Sequence, residues 1–217
     1  MLTLAVDTTA EFGSIALVDS QGVREEVLLR EPQGFSGVLF EQIQLLLARQ
    51  SVALEKVELF AGASGPGSFT GVRIGLAAMK GLGEVLGKPV VAVSNLRAIA
   101  EYGESELRAT VIDARRGEVF AALFHRNGQQ VIPEQVIRFP RLLELLKDYE
   151  FEWISNDFDP FLPAIHGTRF ERFPLTRAPR ALASIIAAIA MRGPLTHAAV
   201  IDANYVRRSD AELLWKE

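Results

Sequence analysis

Residues 59–87 read LFAGASGPGSFTGVRIGLAAMKGLGEVLG and contain eight of the 17 glycines in the chain of 217 residues. The pattern predicts a buried strand, a tight turn and an apolar, proline-free helix that begins at Phe69. Each glycine inside such a helix costs roughly 0.5 to 1 kcal/mol relative to alanine, so some other interaction must offset that cost. Glycines recur with a spacing of four at positions 67, 71, 75, 83 and 87. Because this spacing places them on one side of the helix, we expect a backbone, a second helix or a ligand to approach closely there.

The composition limits the possible classes of protein. A chain with 49% hydrophobic residues can bury a substantial core, as one large domain or two small lobes. The absence of cysteine excludes disulfides and thiolate metal sites. The start of the chain has no basic segment typical of a signal peptide, and no apolar run reaches the roughly 20 residues of a membrane span, so we expect a cytoplasmic protein. A net charge of −4 offers no broad electrostatic surface for nucleic acid.

A strand meander is repeated in the two halves of the chain. The predicted strands cover residues 2–7, 13–18 and 23–30 in the first half and 110–113, 118–124 and 130–139 in the second. Asp7 precedes the turn glycine Gly22 by the same interval as Asp113 precedes Gly128. A helix follows each meander, at residues 36–50 and 141–149. The halves therefore look like copies of one βββα unit, the alternative being two unrelated hairpins with similar turns.

Strands that alternate with helices then predict a parallel core in each half. In the first half the strands at 57–63 and 89–93 flank the glycine-rich helix, and a further helix is capped by Ser94. The second half adds a strand at 151–155, a proline-broken loop, a short strand near Phe170, an apolar helix at 180–191 and a short helix opened by Ser209. We therefore predict an α/β fold of two lobes with duplicated βββαβα units, at residues 1–104 and 105–217. The second lobe is reduced, and its late helix is expected to be buried, packing between the lobes or back on the first.

Four segments carry a resemblance to a known family. They are VDTT at 6–9, GPGSFTGVRIG at 65–75, VIDARRGEVF at 111–120 and YVRR at 205–208. Together they resemble the bacterial TsaB (YeaZ) family, whose fold is that of the actin, Hsp70 and sugar-kinase (ASKHA) superfamily. The resemblance implies a noncatalytic subunit that binds TsaD in making threonylcarbamoyladenosine, beside the anticodon of tRNAs that read codons beginning with A. It also implies TsaE in a larger complex and contact with tRNA through that complex.

A degenerate nucleotide or anion site is the second expectation. In ATPases of the superfamily, an aspartate and hydroxyl residues at the place of Asp7, Thr8 and Thr9 approach the metal and the phosphates. The alternative is that these side chains hydrogen-bond the backbone of their own turn. The matching turn contains Asp113, Arg115 and Arg116, and the two arginines are bulky enough to fill the space that a phosphate needs. We expect no intact catalytic ATP site and no intrinsic cofactor, with ATP or ADP and Mg²⁺ at most shared with the partner complex.

Metal and protease chemistry lack suitable residues. The histidines His125, His166 and His197 form no His-x-x-x-His pair, which is present in TsaD. Ser68 has no G-x-S-x-G context for a nucleophile. A small-molecule kinase with Asp7 and Asp113 holding a magnesium nucleotide remains the alternative function, and a peptidase remains a remote one.

A partner-binding surface is expected on two helices. The candidate residues are Leu39, Phe40, Ile43, Leu46 and Leu47 in the first helix and Gly67, Phe69, Thr70, Gly71, Val72, Ile74, Gly75 and Ala78 at the second. The resemblance implies that these helices pair with equivalent helices of TsaD, or with a second copy of this chain when TsaD is absent. The alternative is that the glycine row packs on this chain's own sheet. We expect a bulky residue in place of Gly71 or Gly75 to abolish the complex and leave the fold intact.

Two further features remain open. Phe35 stands where many family members have a histidine, so any role of that histidine is in doubt here. Arg207 and Arg208 could contact RNA or a nucleotide, or form surface salt bridges beside Tyr205.

Overall fold

A computed structural model describes residues 1–204 and Val206 of the chain. The strands are β1 (Thr3–Asp7), β2 (Phe12–Asp19), β3 (Gly22–Arg30), β4 (Leu59–Ala63), β5 (Val90–Val93), β6 (Leu107–Asp113), β7 (Glu118–His125), β8 (Gln130–Arg138), β9 (Glu152–Ser155) and β10 (Leu175–Arg177). The α-helices are α1 (Leu39–Arg49), α2 (Phe69–Leu86), α3 (Asn95–Ala100), α4 (Phe139–Leu145), α5 (Leu162–Ile165) and α6 (Ala183–Arg192). Our expectations for Tyr205, Arg207, Arg208 and the helix at Ser209 lie outside the described residues.

The first sheet has the strand order β3-β2-β1-β4-β5. Strands β1, β2 and β3 pair antiparallel because tight turns join them, as at Gly22, whose φ is 128°. Strands β1, β4 and β5 pair in parallel because a helix intervenes between β4 and β5. Helix α2 begins at an N-cap, where the Ser68 hydroxyl accepts the backbone N–H of Gly71, and ends at Gly87 in a left-handed conformation.

The second sheet repeats the same topology. Its order, read from the third strand of the meander, is β8-β7-β6-β9-β10, with β6, β7 and β8 antiparallel and β6, β9 and β10 parallel. The predicted duplication of a two-lobed α/β unit is therefore confirmed. The second copy is reduced between β9 and β10, where only the one-turn helix α5 and a 3-10 turn at Arg169–Arg172 intervene. The strand expected near Phe170 is wrong: Phe170 is buried in that 3-10 turn, and the strand follows as β10.

The chain divides into two compact units, of which one comprises Met1–Asn95 with Arg180–Asn204 and the other Leu96–Pro179. The division therefore differs from the boundary that we placed between residues 104 and 105. The difference arises because α6 returns to the first sheet, where it contacts β1, β2, β4 and β5. Its small and apolar side chains, including Ala183, Ile186, Ala187 and Ala190, are buried there.

Polar groups of the first sheet fix the start of α6. The Ser14 hydroxyl on β2 accepts the backbone N–H groups of Leu182 and Ala183, each at 2.9 Å. The Glu26 carboxylate on β3 accepts the N–H of Ser184 at 2.9 Å and its hydroxyl at 2.7 Å. Because the first N–H groups of a helix have no partner within the helix, these side chains satisfy donors that would otherwise be buried and unpaired.

Each unit has its own apolar core. In the first unit, α1 and α2 cover the side of the sheet formed by Leu4, Val6 and Phe60. In the second unit the core is aromatic: Trp153 is fully buried and packs edge-on against Phe151 at 4.8 Å between ring centroids. Among the helices of the described part of the chain, none combines the length and hydropathy needed to cross a membrane.

Candidate functional site

A surface on α1 and α2 combines exposed apolar residues with small ones. Phe40 is 53% exposed and Val85 is 85% exposed, which is unusual for large apolar side chains. We define the α1–α2 face as the exposed residues Phe40, Gln44 and Ala48 of α1 and Thr70, Ala77, Gly81 and Val85 of α2. Nothing lies within 4 Å of the position that a Cβ atom would occupy on Gly81. Apart from Gln44 and Thr70, the face is therefore apolar, and it has open space at Gly81.

A groove of about 480 Å³ runs between the two helices. Its walls are predominantly apolar and consist of Phe40, Ile43, Gln44, Leu47, Ala48, Val52, Leu54 and Leu82. Such a groove between two helices accepts side chains from a third helix by the ridge-and-groove packing that helices commonly use. The arrangement can thus bind an apolar helical partner.

The first three glycines of the row, Gly67, Gly71 and Gly75, lie against the chain's own turn after β1. A Cβ atom on Gly67 would lie 2.5 Å from the Thr9 carbonyl oxygen, and one on Gly75 would lie 2.5 Å from Thr8 Oγ1. A Cβ atom on Gly71 would overlap the Thr8 carbonyl oxygen. The glycines therefore admit the chain's own turn after β1, which is the alternative that the sequence left open. Contrary to our expectation, a bulky residue at Gly71 or Gly75 would disturb the fold itself.

Eight of the thirteen candidate interface residues are buried within the first unit, namely Leu39, Ile43, Leu46, Leu47, Gly71, Val72, Gly75 and Ala78. Ile43 and Leu47 nevertheless line the groove, so they keep a place in the docking surface. The other six of these eight neither line the groove nor reach the exposed face, and their place is corrected accordingly. The other five are accessible: Phe40, Gly67, Phe69 and Thr70 are exposed and Ile74 is half-buried. The Arg73 guanidinium lies 3.7 Å from the centre of the Phe69 ring, at the start of α2.

The turn after β1 is held by a buried hydrogen-bond network. Asp7 Oδ1 accepts the backbone N–H of Thr9 at 2.9 Å and its hydroxyl at 2.7 Å. Asn95 Nδ2 donates to Thr9 Oγ1 at 2.9 Å and to Asp7 Oδ2 at 3.3 Å. Burial raises the pKa of the Asp7 carboxyl above its ordinary value of 3.8, and nearby Glu26 adds to the rise, whereas the hydrogen bonds oppose it. Through these hydrogen bonds Asp7 and Thr9 stabilise the turn, which is the alternative role that the sequence left open for them.

The matching turn in the second unit is exposed. Asp113 accepts the backbone N–H of Arg115 at 2.8 Å, and the side chains of Arg115 and Arg116 reach the surface. Both arginines have left-handed backbones, with φ of 65° and 59°, a conformation that costs a non-glycine residue roughly 1 kcal/mol or more. Because Asp7 and Asp113 belong to different units, the degenerate nucleotide site stays a prediction.

Histidines and carboxylates do not assemble a metal site in the part of the chain that the structure describes. His125 lies 3.5 Å from Glu106 and His166 lies 2.6 Å from Glu171, and both pairs are near the surface. Phe35 is 2% exposed and packs beside Gly13 in the first core.

Sequence reasoning missed two residues that matter here. Asn95 lies directly after the predicted cap Ser94, and nothing in a single sequence shows that its amide meets a turn 86 residues away. Gly81 was counted with the other helix glycines, although it lies outside their row of spacing four. The position of Gly81 off this row was the signal in the sequence that it faces another side of the helix.

Comparison with known proteins identifies the family. A family model described as "TsaD: tRNA N6-adenosine threonylcarbamoyltransferase" matches residues 33–167. The tRNA threonylcarbamoyladenosine biosynthesis protein TsaB of Bacillus subtilis is 35% identical over 68% of this chain and 67% of its own length, and TsaB of Escherichia coli is 31% identical over 71% and 70%.

A solved structure agrees with these relatives. The crystal structure of a Pseudomonas aeruginosa protein with similarity to the peptidase YEAZ superposes with a TM-score of 0.79 at 27% identity. The match covers 95% of this chain and 99% of that one. The chain therefore belongs to the TsaB (YeaZ) family.

Proposed function

We propose that this protein takes part in tRNA threonylcarbamoyladenosine biosynthesis as a noncatalytic subunit that binds TsaD through the α1–α2 face. The observation that carries the proposal is the apolar groove between α1 and α2, which is lined by exposed Phe40 on α1 and by Leu82 on α2. Gly81, next to Leu82 in α2, is exposed and has open space beside it. Curated relatives named as TsaB biosynthesis proteins support the pathway.

The choice of TsaD as partner has its own support. The TsaD family model matches residues 33–167, a range that includes both α1 and α2. A TsaD protein therefore has helices that correspond to these two. Helices of similar shape can pack against each other face to face across a local two-fold axis. We infer that TsaD binds by placing its corresponding helices on the α1–α2 face.

Support for a noncatalytic role comes from the turn after β1. Both oxygens of the Asp7 carboxylate accept hydrogen bonds from Thr9 or Asn95, and the Thr8 hydroxyl donates to the Gly71 carbonyl. These groups stabilise the fold, as neighbouring polar side chains commonly do in turns. In this proposal the chain shapes and stabilises TsaD, which performs the group transfer.

The experiment is a titration of the purified chain with TsaD from the same organism, followed by calorimetry and light scattering. We expect Gly81→Arg to weaken binding at least tenfold, because the long, charged side chain would occupy the open space at Gly81 on the face. The matched control is Leu145→Arg, which places the same side chain on an exposed position of α4 in the second unit. Phe40→Ala tests the apolar border and should weaken binding about tenfold.

A wild-type chain that fails to bind TsaD would overturn the proposed function. Normal binding by both Gly81→Arg and Phe40→Ala would overturn the assignment of the face. Equal losses in Gly81→Arg and Leu145→Arg would also count against it, because the loss would then come from the added charge.

A further inference from the structure

The turn after β1 packs into the space left by the missing side chains of Gly67, just before α2, and of Gly71 and Gly75 within α2. Thr8 Oγ1 occupies the space where Gly75 would carry a Cβ atom, and the Thr9 carbonyl occupies that of Gly67. The Thr8 hydroxyl donates to the Gly71 carbonyl at 2.6 Å, and the backbone N–H of Ser68 donates to the Thr9 carbonyl at 2.6 Å. Two residues of one turn thus contact the first two turns of the helix.

Asn95 joins this turn to the segment that leads into α2. Its side-chain oxygen accepts the backbone N–H of Gly65 at 3.0 Å, and its own backbone N–H donates to the Gly65 carbonyl at 2.8 Å. Its amide nitrogen donates to Thr9 and Asp7. The residue is 2% exposed, so these hydrogen bonds have no competition from bulk water.

We propose that Asp7, Thr8, Thr9 and Asn95 form a clamp that positions the first turns of α2 and thereby controls docking on the α1–α2 face. The second part of this proposal, the control of docking, rests on the proposed function. Thr8, Thr9 and Asn95 contact α2 and its approach segment. Asp7 holds Thr9 and Asn95 in place, so all four act as positioning residues.

The physical reason is the weakness of α2 as an isolated helix. Its interior glycines lower helix propensity, so contacts from outside must hold its start in place. The exposed Thr70, Ala77 and Gly81 lie on the same helix as the clamped Gly71 and Gly75. A shift of the clamped turns therefore moves the residues that a partner would meet.

The test compares two buried threonines of the same strand region. Thr8→Ala removes the hydroxyl that binds Gly71, whereas Thr3→Ala removes a buried hydroxyl that has no hydrogen-bond partner among the described residues. Hydrogen–deuterium exchange of the peptide covering residues 68–80 reports the order of the helix start. Calorimetric titration with TsaD reports docking. Thr8→Ser restores the hydroxyl, and Asn95→Ala perturbs the clamp while leaving Thr8 in place.

We expect Thr8→Ala and Asn95→Ala to speed exchange in this peptide and to weaken TsaD binding about five- to tenfold, because the affinity falls with the fraction of molecules that hold the start of α2 in the binding position. Thr3→Ala should change neither, and Thr8→Ser should restore both. Equal acceleration of exchange in Thr3→Ala and Thr8→Ala would overturn the clamp.

Two other outcomes separate the clamp from the proposed function. Faster exchange with unchanged TsaD affinity would overturn the control of docking by the clamp. Failure of the wild-type chain to bind TsaD would overturn the proposed function and the control of docking, while the exchange rates would still decide whether the clamp exists.

Discussion

At the scale of single residues, two glycines of one helix have opposite roles. Gly71 faces the turn after β1, where a Cβ atom would overlap the Thr8 carbonyl, and Gly81 faces open space. Glycine at position 71 is required for close packing. Glycine at position 81 costs helix stability and leaves room on the α1–α2 face.

We therefore predict opposite effects of the same substitution at the two sites. Gly71→Ala should lower the free energy of unfolding by about 1 to 3 kcal/mol because of overpacking. Gly81→Ala should raise it by roughly 0.5 to 1 kcal/mol because alanine favours the helix. Urea unfolding monitored by circular dichroism measures both. Equal shifts of the same sign would contradict the packing of the glycine row.

Asp7 supports a prediction about pH. Because burial raises its pKa in the folded chain above 3.8, the folded state binds the proton more tightly than the unfolded state does. The stability that Asp7 contributes is therefore largest at low pH and declines as pH rises through the raised pKa. Asp7→Asn does not titrate, so the stability of the wild-type chain relative to this variant should fall as the pH rises above the ordinary value of 3.8. Urea unfolding of both proteins at a series of pH values above it measures the difference, and a wild-type advantage that grows with pH would contradict it.

At the scale of elements, α6 depends on residues that are distant in sequence. Its N-terminal N–H groups bind Ser14 on β2, and the separation between Ser14 and Ala183 is 169 residues. An apolar helix can pack on many surfaces, whereas these acceptors specify one position on the first sheet.

Loss of the Ser14 hydroxyl should therefore destabilise the docking of α6. We predict that Ser14→Ala lowers the free energy of unfolding by about 1 to 2 kcal/mol, because two buried N–H groups lose their acceptor. The corresponding fall in melting temperature, roughly 2 to 4 °C per kcal/mol for a chain of this size, is measurable by calorimetry. Thr3→Ala is the control, since the buried Thr3 hydroxyl has no partner among the described residues. An unchanged melting temperature would show that packing alone positions α6.

At the scale of the whole molecule, the α1–α2 face predicts self-association in the absence of TsaD. An open apolar groove is energetically unfavourable in water, and a second copy offers the same complementary surface. Light scattering of the purified chain should show a mass near twice 23.8 kDa at high concentration, and Gly81→Arg should return it to 23.8 kDa. A wild-type monomer at all concentrations would contradict this prediction.

The sequence alone determined the order of elements and the duplication of the fold, because hydrophobic period, turn glycines and helix caps are local signals. It also identified α1 and α2 as unusual and α2 as starting at Phe69. It placed a strand near Phe170 wrongly, because a short apolar segment suits a buried 3-10 turn as well as a strand.

Only the tertiary structure decided which side of each helix is exposed to a partner. The sequence showed a row of glycines that permits close approach, and only the fold showed that the chain's own Thr8 and Thr9 occupy it. In the same way, the return of α6 to the first sheet follows from hydrogen bonds to Ser14 and Glu26. Burial and long-range pairing depend on which surfaces meet in space, and residue spacing along one chain does not contain that information.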